Sequence, residues 1–249
     1  MLEIKCPAKI NYILEISGKS SDDFHIIKTL AIKVDLVDTV YIEEAKFGLE
    51  FSSNVSLPVN NSIVKTVYML VEKGYIPHSN FKIHLQKRIP LASGLGSASS
   101  TAVEVAKALC KHFASHTPKL EELVETAGSD AAIFYLDSTA VIVKQFSKFK
   151  FEINSLEISL IKKLPQQLFL FFLPSFKNKT KNMYSKLTPE IFSDKFEELL
   201  TNLQPFNTFE AVFPYKTFLN TQNLHLSGAG PTLFSTEQLE GGLPVQIWR

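Results

Sequence analysis

The hydrophobic residues change their spacing several times along the chain, and each spacing predicts a different kind of element. Residues 10–16 and 26–34 are rich in β-branched and aromatic residues, which is typical of strands. The polar cluster 17–23 between them predicts a turn. Across residues 61–73 the hydrophobic positions recur every three or four residues, which predicts an amphipathic helix. Residues 81–85 alternate again and predict a strand with one buried face.

The middle and the end of the chain mix both patterns. Residues 99–113 are rich in Ala, Val and Leu and lack Gly and Pro, so they predict a helix. Strands are predicted at 139–152 and 168–173, and helices at about 180–187, 189–203 and 206–219. Strands followed by mixed helices and strands predict an α+β fold with two subdomains. We place the two domains at residues 1–148 and 149–249, with the boundary in a lysine-rich stretch that lacks glycine.

Composition narrows the class of protein. The chain has 249 residues, of which 45% are hydrophobic and 20% charged, so it can bury a core as one substantial domain or two small ones. Its 26 basic and 25 acidic residues give a net charge of +1, which provides no electrostatic attraction for nucleic acid or a membrane surface. We therefore expect no nucleic-acid partner and no membrane partner.

The cysteines and the longest apolar run bear on the cellular compartment. Cys6 and Cys110 cannot form a disulfide framework, and no spacing suggests zinc, so both are predicted to be small core residues in a reducing compartment. The apolar run 168–173 is too short to span a bilayer, and residues 1–5 have no apolar segment of a signal peptide. A cytoplasmic protein is the expectation.

The segment 90–100, which we call the small-residue loop, is the strongest local signal. It leads from a predicted strand into a predicted helix, so several main-chain N–H groups and the helix dipole can face one anion. Hydroxyls of Ser97, Ser99 and Ser100 can reach phosphate oxygens or a bound Mg²⁺. The alternative is an ordinary tight turn with a serine N-cap, but the density of small residues favours phosphate. The predicted phosphate-binding residues are Pro90, Leu91, Ala92, Ser93, Gly94, Leu95, Gly96, Ser97, Ala98, Ser99 and Ser100.

Two other glycine patterns do not indicate nucleotide motifs. The small-residue loop is not a Rossmann fingerprint, because Ser99 occupies the third glycine position. The tripeptide GKS at 18–20 is not a Walker A motif, because Ile13 stands where that motif needs a glycine. This tripeptide is predicted to be part of a polar hairpin turn.

Three further segments each allow two interpretations. Lys9 lies inside an apolar strand pattern, where a charge needs a partner; by spacing alone, an edge or solvent-facing lysine is favoured. Asp130 is a lone carboxylate among small apolar residues, and by itself it is more simply a helix N-cap. Residues 226–232, which we call the late glycine loop, are either a functional loop or a turn between strands.

Together these segments resemble the signature of the GHMP kinase superfamily. PAKIN at 7–11, the small-residue loop, GSD at 128–130 and LSGAGPT at 226–232 are similar to its motifs and occur in the same order. The resemblance covers nearly the whole chain.

Other segments resemble the members of this family that act on a cytidine-linked alcohol. DDFHIIKTL at 22–30 is similar to the segment that holds the cytidine in those members. NSIVK at 61–65 and NTFE at 207–210 match two more of their motifs. The resemblance implies a two-subdomain GHMP kinase fold, with an N-terminal half like ribosomal protein S5 domain 2 and a ferredoxin-like C-terminal half.

The resemblance also implies an activity and its partners. The expected reaction is ATP-dependent phosphorylation of the 2-hydroxyl of 4-diphosphocytidyl-2-C-methyl-D-erythritol, a step of non-mevalonate isoprenoid precursor biosynthesis. ATP and Mg²⁺ are the expected cofactors, and the partner is this cytidine diphosphate-linked methylerythritol. A monomer or weak homodimer is expected.

The same resemblance implies roles for individual residues. Asp130 would accept the proton of the substrate hydroxyl, and Lys9 would pair with Asp130 and stabilise the developing negative charge. Ser99 is the candidate protein ligand of Mg²⁺. Phe24 would stack on the cytosine and His25 would hydrogen-bond it. The substrate-binding residues implied are Asn11, Phe24, His25, Gly228 and Gly230.

Some positions depart from the family pattern. Ser97 and Ala98 stand where those members have glycine, which disfavours positive φ and close main-chain approach there. Ser97 is more typical of homoserine and mevalonate kinases, and KQF at 144–146 replaces a GxGE segment. Two alternatives therefore stay open, namely another small-alcohol kinase of the family and a non-catalytic homologue. The segment around His25 disfavours the first alternative, and the presence of both Lys9 and Asp130 disfavours the second.

Overall fold

The structure, a computed structural model, describes residues 1–173, 180–213 and 223–248. The chain forms two compact units, each built from separate stretches of sequence. Unit 1 contains Met1–Ala8, Leu36–Pro90 and Gly96–Asp137, and unit 2 contains Lys9–Asp35, Leu91–Leu95 and Ser138–Arg249. The predicted domains, 1–148 and 149–249, are two continuous ranges, whereas the two units are discontinuous in sequence. The division into domains stays a prediction.

Unit 1 contains a small sheet with one covered face. The second half of β2 (His25–Glu44) pairs antiparallel with β4 (Phe81–Gln86), and β3 (Leu49–Ser53) pairs with β4 in parallel. Along β4, buried and exposed side chains alternate strictly, as the sequence pattern predicted. The first strand, β1 (Leu2–Lys19), begins in this unit and continues into unit 2.

Unit 1 also contains helices. They are α1 (Ser62–Glu72), α2 (Ser97–His112), α3 (Leu120–Ala127) and α4 (Ala131–Tyr135). Helix α1 begins at Ser62 because the Asn61 side chain accepts hydrogen bonds from the N–H groups of the first turn. The predicted helices at 61–73 and 99–113 are thus confirmed. Cys6 and Cys110 are buried and free, as predicted.

Unit 2 contains two groups of strands. In the first, β2 pairs antiparallel with β5 (Ala140–Gln145), β5 with β6 (Phe151–Ser155), and β1 pairs in parallel with β8 (Phe206–Asn207). The single strand predicted at 139–152 is therefore wrong, because a turn closed by Phe146 N and Lys150 O separates β5 from β6. The second group is a four-stranded antiparallel sheet in the order β11-β7-β10-β9, and its strands are β7 (Gln167–Phe172), β9 (His225–Leu226), β10 (Thr232–Ser235) and β11 (Leu243–Gln246).

The helices of unit 2 are short, and two predictions fail here. The helices are α5 (Ile158–Ile161), α6 (Thr180–Tyr184) and α7 (Phe196–Asn202), with 3₁₀ turns at Pro189–Ile191 and Thr208–Ala211. The predicted helix at 189–203 breaks at 192–195, because the buried carboxylate of Glu15 accepts hydrogen bonds from Ser193 Oγ and Lys195 N. The predicted helix at 206–219 begins instead as strand β8 and a 3₁₀ turn, and its residues from 214 onwards lie outside the described residues.

The two sheets and their helices give the α+β class that the sequence predicted. In the described part of the chain, no helix is both long and apolar enough to cross a membrane. The core cluster of unit 2 brings β1 together with the C-terminal elements; its buried members are Leu14, Ile16, Met183, Leu187, Phe209, Phe213, Leu224, Leu226 and Leu233. This packing places the residues at the centre of β1 beside the late glycine loop.

Candidate active site

Lys9 belongs to unit 2 and is buried. Lys9 is only 2% exposed, which rules out the alternative of a solvent-facing lysine. The Lys9 ammonium donates a short hydrogen bond to Asn11 Oδ1. Asn11 Nδ2 donates to Thr29 Oγ1 at 2.9 Å, and that hydroxyl donates to Ile13 O at 2.7 Å. This chain of hydrogen bonds fixes the amide so that its oxygen faces the lysine.

The late glycine loop lies directly against Lys9 and Asn11. A Cβ placed on Gly228 would lie 3.4 Å from both Lys9 Nζ and Asn11 Oδ1, and 3.1 Å from the main-chain oxygen of Gly94. Gly228 also has φ +59°, a conformation that side chains rarely adopt. Asn11 N donates to Ser227 Oγ at 3.3 Å. The loop connects two paired strands, β9 and β10, and its main chain also forms one wall beside the lysine. A functional role for the loop stays a prediction.

The middle of the small-residue loop, residues 91–95, packs on the late glycine loop through main-chain atoms. A Cβ on Gly94, whose φ is +79°, would lie 2.8 Å from Ser227 O and 3.0 Å from Gly230 O. Hydrogen bonds from Thr232 N to Ser93 O and from Lys9 N to Leu95 O add to this contact. Within unit 2 the structure thus brings together predicted site residues from three segments of the chain, namely Lys9, Asn11, Ser93, Gly94, Leu95, Gly228 and Gly230.

Asn207 is a residue of this site that the sequence analysis did not select. Its amide nitrogen donates to Leu226 O at 2.6 Å and to Gly228 O at 2.8 Å, and its amide oxygen accepts from Phe209 N at 2.9 Å. Glu210 holds the same segment by accepting from Leu226 N at 2.8 Å. The signal that could have found both residues is the NTFE motif, which contains them.

His25 lies at the start of β2 in an aromatic cluster of unit 2. Its ring centroid is 4.9 Å from that of Tyr184 and 6.2 Å from that of Phe192. Burial lowers the pKa of His25 below its ordinary value of 6.5, and the charge of Lys19 adds to this, whereas Asp23 opposes it. The imidazole is therefore neutral at pH 7, and its Nε2 is buried without a hydrogen-bond partner among the described residues.

The turn before His25 is a polar hairpin turn, as predicted. Ser20 N donates to Phe24 O at 2.8 Å, and Lys19 pairs with Asp23 at 2.7 Å in an exposed position. This arrangement places Phe24 next to His25 at the entry of β2. Tyr184 and Phe192 were missed because they are far away in sequence and belong to none of the motifs quoted above.

The end of the small-residue loop forms the start of α2 in unit 1. Positive φ values fall on Ala92, Gly94 and Gly96, whereas Ser97 and Ala98 belong to the helix. Neither position has positive φ, which agrees with the preference of serine and alanine for negative φ. Gly96 has no side chain with which to cap the helix, so the first N–H groups of α2 receive no side-chain cap from it.

The serine hydroxyls of α2 have partners inside unit 1. Ser97 Oγ donates to Asp38 and accepts from Lys87, and Ser99 Oγ donates to Ala127 O at 2.7 Å. Ser100 Oγ is buried and has no hydrogen-bond partner among the described residues. Phosphate binding by these serines stays a prediction.

Asp130 precedes α4 in unit 1. It occupies the N-cap position, but its φ of −61° and ψ of −14° are helical, and its side chain makes no capping hydrogen bond. The alternative interpretation of Asp130 as a helix cap therefore fails. The preceding Gly128 lies near the start of α2, since a Cβ there would be 4.0 Å from Ser99 Oγ. Across the described ranges, no group of three or more His, Cys, Asp and Glu side chains is placed to hold a metal ion.

Comparison with known proteins identifies the family. Residues 61–138 match the GHMP kinases N terminal domain. The chain is 32% identical over 190 residues to the 4-diphosphocytidyl-2-C-methyl-D-erythritol kinase of Thermotoga petrophila. The aligned region is 76% of this chain and 66% of that protein. It is 27% identical over 264 residues to the kinase of the same name from Fervidobacterium nodosum, with 93% and 89% covered.

A solved structure agrees with these relatives. The crystal structure of a 4-(cytidine 5'-diphospho)-2C-methyl-D-erythritol kinase superimposes with a TM-score of 0.74 at 25% identity, covering 97% of this chain and 90% of that chain. The chain belongs to the GHMP kinases. The relatives named here all carry the name 4-diphosphocytidyl-2-C-methyl-D-erythritol kinase or its synonym.

These findings decide several of the expectations from sequence. The predicted family and the two-subdomain GHMP kinase fold are confirmed. The names of the relatives support a phosphotransferase with an alcohol acceptor, and they do not favour a homoserine or mevalonate kinase. Membership of a kinase family implies the use of ATP. The chain spans about two thirds of the length of the Thermotoga relative, at 66%.

Proposed function

We propose that the chain is an ATP-dependent kinase that phosphorylates the 2-hydroxyl of 4-diphosphocytidyl-2-C-methyl-D-erythritol. The observation that carries this proposal is the buried Lys9, hydrogen-bonded to Asn11 and set against the main chain of Gly228, in a chain whose relatives bear that name. A buried ammonium beside the main chain of a glycine loop suits a site that binds phosphate oxygens.

The proposed step transfers the γ-phosphoryl group to the alcohol. The substrate oxygen forms a bond to the γ-phosphorus, the bond from phosphorus to the ADP oxygen breaks, and the hydroxyl proton passes to the carboxylate of Asp130. Lys9 stabilises the negative charge that develops on the transferred group, and Asn11 orients the acceptor beside it. Gly228 and Gly230 let the main chain approach the substrate closely.

The small-residue loop is the proposed site for the ATP phosphates. Main-chain N–H groups within residues 91–99 and the positive end of the α2 dipole would face the phosphate oxygens. Mg²⁺ would be held mainly by those phosphates, since the described residues offer no carboxylate cluster. Ser99 fits as its protein ligand, because its proton is donated to Ala127 and its oxygen lone pairs stay available. When bound, Mg²⁺ supplies charge neutralisation.

The aromatic cluster around His25 is the proposed cytosine site. A neutral imidazole can both donate and accept hydrogen bonds, which suits an uncharged base with donors and acceptors on one edge. Phe24 and Tyr184 would supply stacking surfaces.

We also propose domains at 1–148 and 149–249, a cytoplasmic location, and a monomer or weak homodimer.

One assay separates the proposed function from its rivals. ATP turnover is measured with the cytidine-linked methylerythritol, homoserine and mevalonate in parallel. Turnover of the first substrate alone supports the proposal. Turnover of homoserine or mevalonate alone would establish a different alcohol kinase, and no turnover with any alcohol would favour a non-catalytic homologue.

A second experiment tests the proposed base. Asp130→Asn should lower turnover by at least about 100-fold while the Kd for ATP changes little, because general-base catalysis contributes about 10²–10⁴-fold. Asp137→Asn is the matched control, since its side chain is 88% exposed and it belongs to the same unit. Full activity of the Asp130 variant would remove that residue from the proposed role.

A further inference from the structure

Unit 1 contains a buried ion pair at the base of the small-residue loop. Lys87 Nζ lies 2.8 Å from Asp38 Oδ2, and the two side chains are only 6% and 0% exposed. Burial lowers the pKa of Lys87, and the hydrogen bond and charge of Asp38 oppose that shift. Such a pair is costly to bury unless further hydrogen bonds satisfy both groups.

The remaining bonds of this pair go to the two ends of the loop. At the first end, Asp38 Oδ1 accepts from Arg88 N at 2.7 Å and from Ile89 N at 2.9 Å, and Lys87 Nζ donates to Ile89 O at 2.6 Å. At the second end, Ser97 Oγ accepts from Lys87 Nζ and donates to Asp38 Oδ2, both at 2.6 Å. Ile89 and Ser97 directly flank residues 90–96.

We propose that Asp38, Lys87 and Ser97, which we call the loop-base cluster, are positioning residues that tie Ile89 to Ser97 and thereby hold the small-residue loop in its ATP-binding conformation. The proposal rests on the proposed function for its ATP readout. It gives Ser97 a role different from phosphate contact, since its hydroxyl acts within the cluster.

The loop-base cluster limits the conformational freedom of the loop. Residues 90–96 include two glycines and several small side chains, so ordering them for phosphate binding has an entropic cost. Hydrogen bonds from Thr232 N to Ser93 O and from Lys9 N to Leu95 O hold the middle of this segment, and the loop-base cluster holds its two ends. Fixing both ends reduces that cost before ATP arrives. The bonds involve charged groups in a buried place, which makes them stronger than ordinary hydrogen bonds.

Position 97 can hold serine in place of glycine because of where it lies in the fold. It is the first residue of α2, where the main chain is helical and needs no glycine. Without its hydroxyl, the second end of the loop would lose both of its bonds to the ion pair, while the pair itself would keep its contacts to the first end. Ser97→Ala is therefore a mild variant that should fold.

The first measurement needs no nucleotide. Hydrogen exchange of peptides covering residues 90–97 is followed in the ligand-free wild type, Ser97→Ala and Ser97→Thr. We expect exchange to become about tenfold faster in the alanine variant, which corresponds to about 1.4 kcal/mol, because this variant loses both hydrogen bonds between the second end of the loop and the ion pair. Threonine keeps the hydroxyl and should restore protection.

The second measurement separates positioning from general stability. The Kd for ATP, by calorimetry, should rise about tenfold in Ser97→Ala, and turnover at saturating ATP and substrate should stay within about twofold. The matched control is Lys107→Met on the same helix, which removes bonds to Phe134 O and Asp137 at 2.7 and 2.6 Å. It should lower stability and leave loop exchange and the Kd for ATP unchanged.

The outcomes decide the inference separately from the proposed function. Unchanged loop exchange in Ser97→Ala would overturn the inference, and so would an equal effect of Lys107→Met. A wild type that turns over no alcohol would instead defeat the proposed function, and the exchange data would still decide whether the cluster fixes the loop.

Discussion

Replacing Gly94 with alanine tests the close main-chain packing between the small-residue loop and the late glycine loop. The new Cβ would lie 2.8 Å from Ser227 O and 3.0 Å from Gly230 O, both of them main-chain atoms that cannot rotate away. The residue would also have to hold φ +79°. The left-handed conformation costs about 1–2 kcal/mol and forced overpacking about 1–3 kcal/mol. We therefore expect the free energy of unfolding to fall by about 2–5 kcal/mol.

Gly241→Ala is the matched control for this prediction. Gly241 has the same φ of +79° and lies in the same unit, but a Cβ there would meet no atom within 4 Å. It should lose only the conformational part, about 1–2 kcal/mol. Both variants restrict the unfolded chain equally, so their difference isolates the close approach. Urea unfolding of the two variants measures it. A Gly94 variant no less stable than the Gly241 variant would refute the packing argument.

Two further predictions concern unit 2. Asn207→Ala should lower the free energy of unfolding by about 3 kcal/mol, because it leaves the buried carbonyls of Leu226 and Gly228 unsatisfied. The control is Asn154→Ala, at an exposed position, which should lower it by less than about 0.5 kcal/mol in the same urea assay. A similar loss in both variants would contradict the prediction. An NMR titration of His25 should give a midpoint below 6.5, since burial lowers its pKa. The unfolded chain then takes up this proton first, so stability falls as the pH drops from 6.5 to that midpoint. A midpoint at or above 6.5 would show that the ring is not desolvated.

Elements whose pattern is local could be predicted from sequence. The alternation along β4 and the three- and four-residue spacing of α1 each reflect one buried face, and the structure has both. The loop that leads into α2 was predicted in the same way, from its small residues and the apolar helix behind it. These patterns need no knowledge of which elements pack together.

Features that depend on distant partners could not be predicted. The chain breaks its helical pattern at 192–195 because Glu15, on the first strand, takes the hydrogen bonds of that segment. Tyr184 lies beside His25 although no spacing connects them. Asp38 and Lys87 looked like ordinary charged residues until the fold placed them around Ser97. In each case the deciding contact joins residues that lie far apart in the sequence.

The hydrogen bond from Asn11 to Ser227 has a consequence for synthesis of the protein. The two residues are 216 positions apart. At about 5–20 residues per second, the ribosome makes the second roughly 10–45 seconds after the first. Until then the late glycine loop is missing beside Lys9, and Asn11 lacks its hydrogen-bond partner Ser227. A nascent chain stalled before the late glycine loop should therefore depend on chaperones, whereas a completed chain should not.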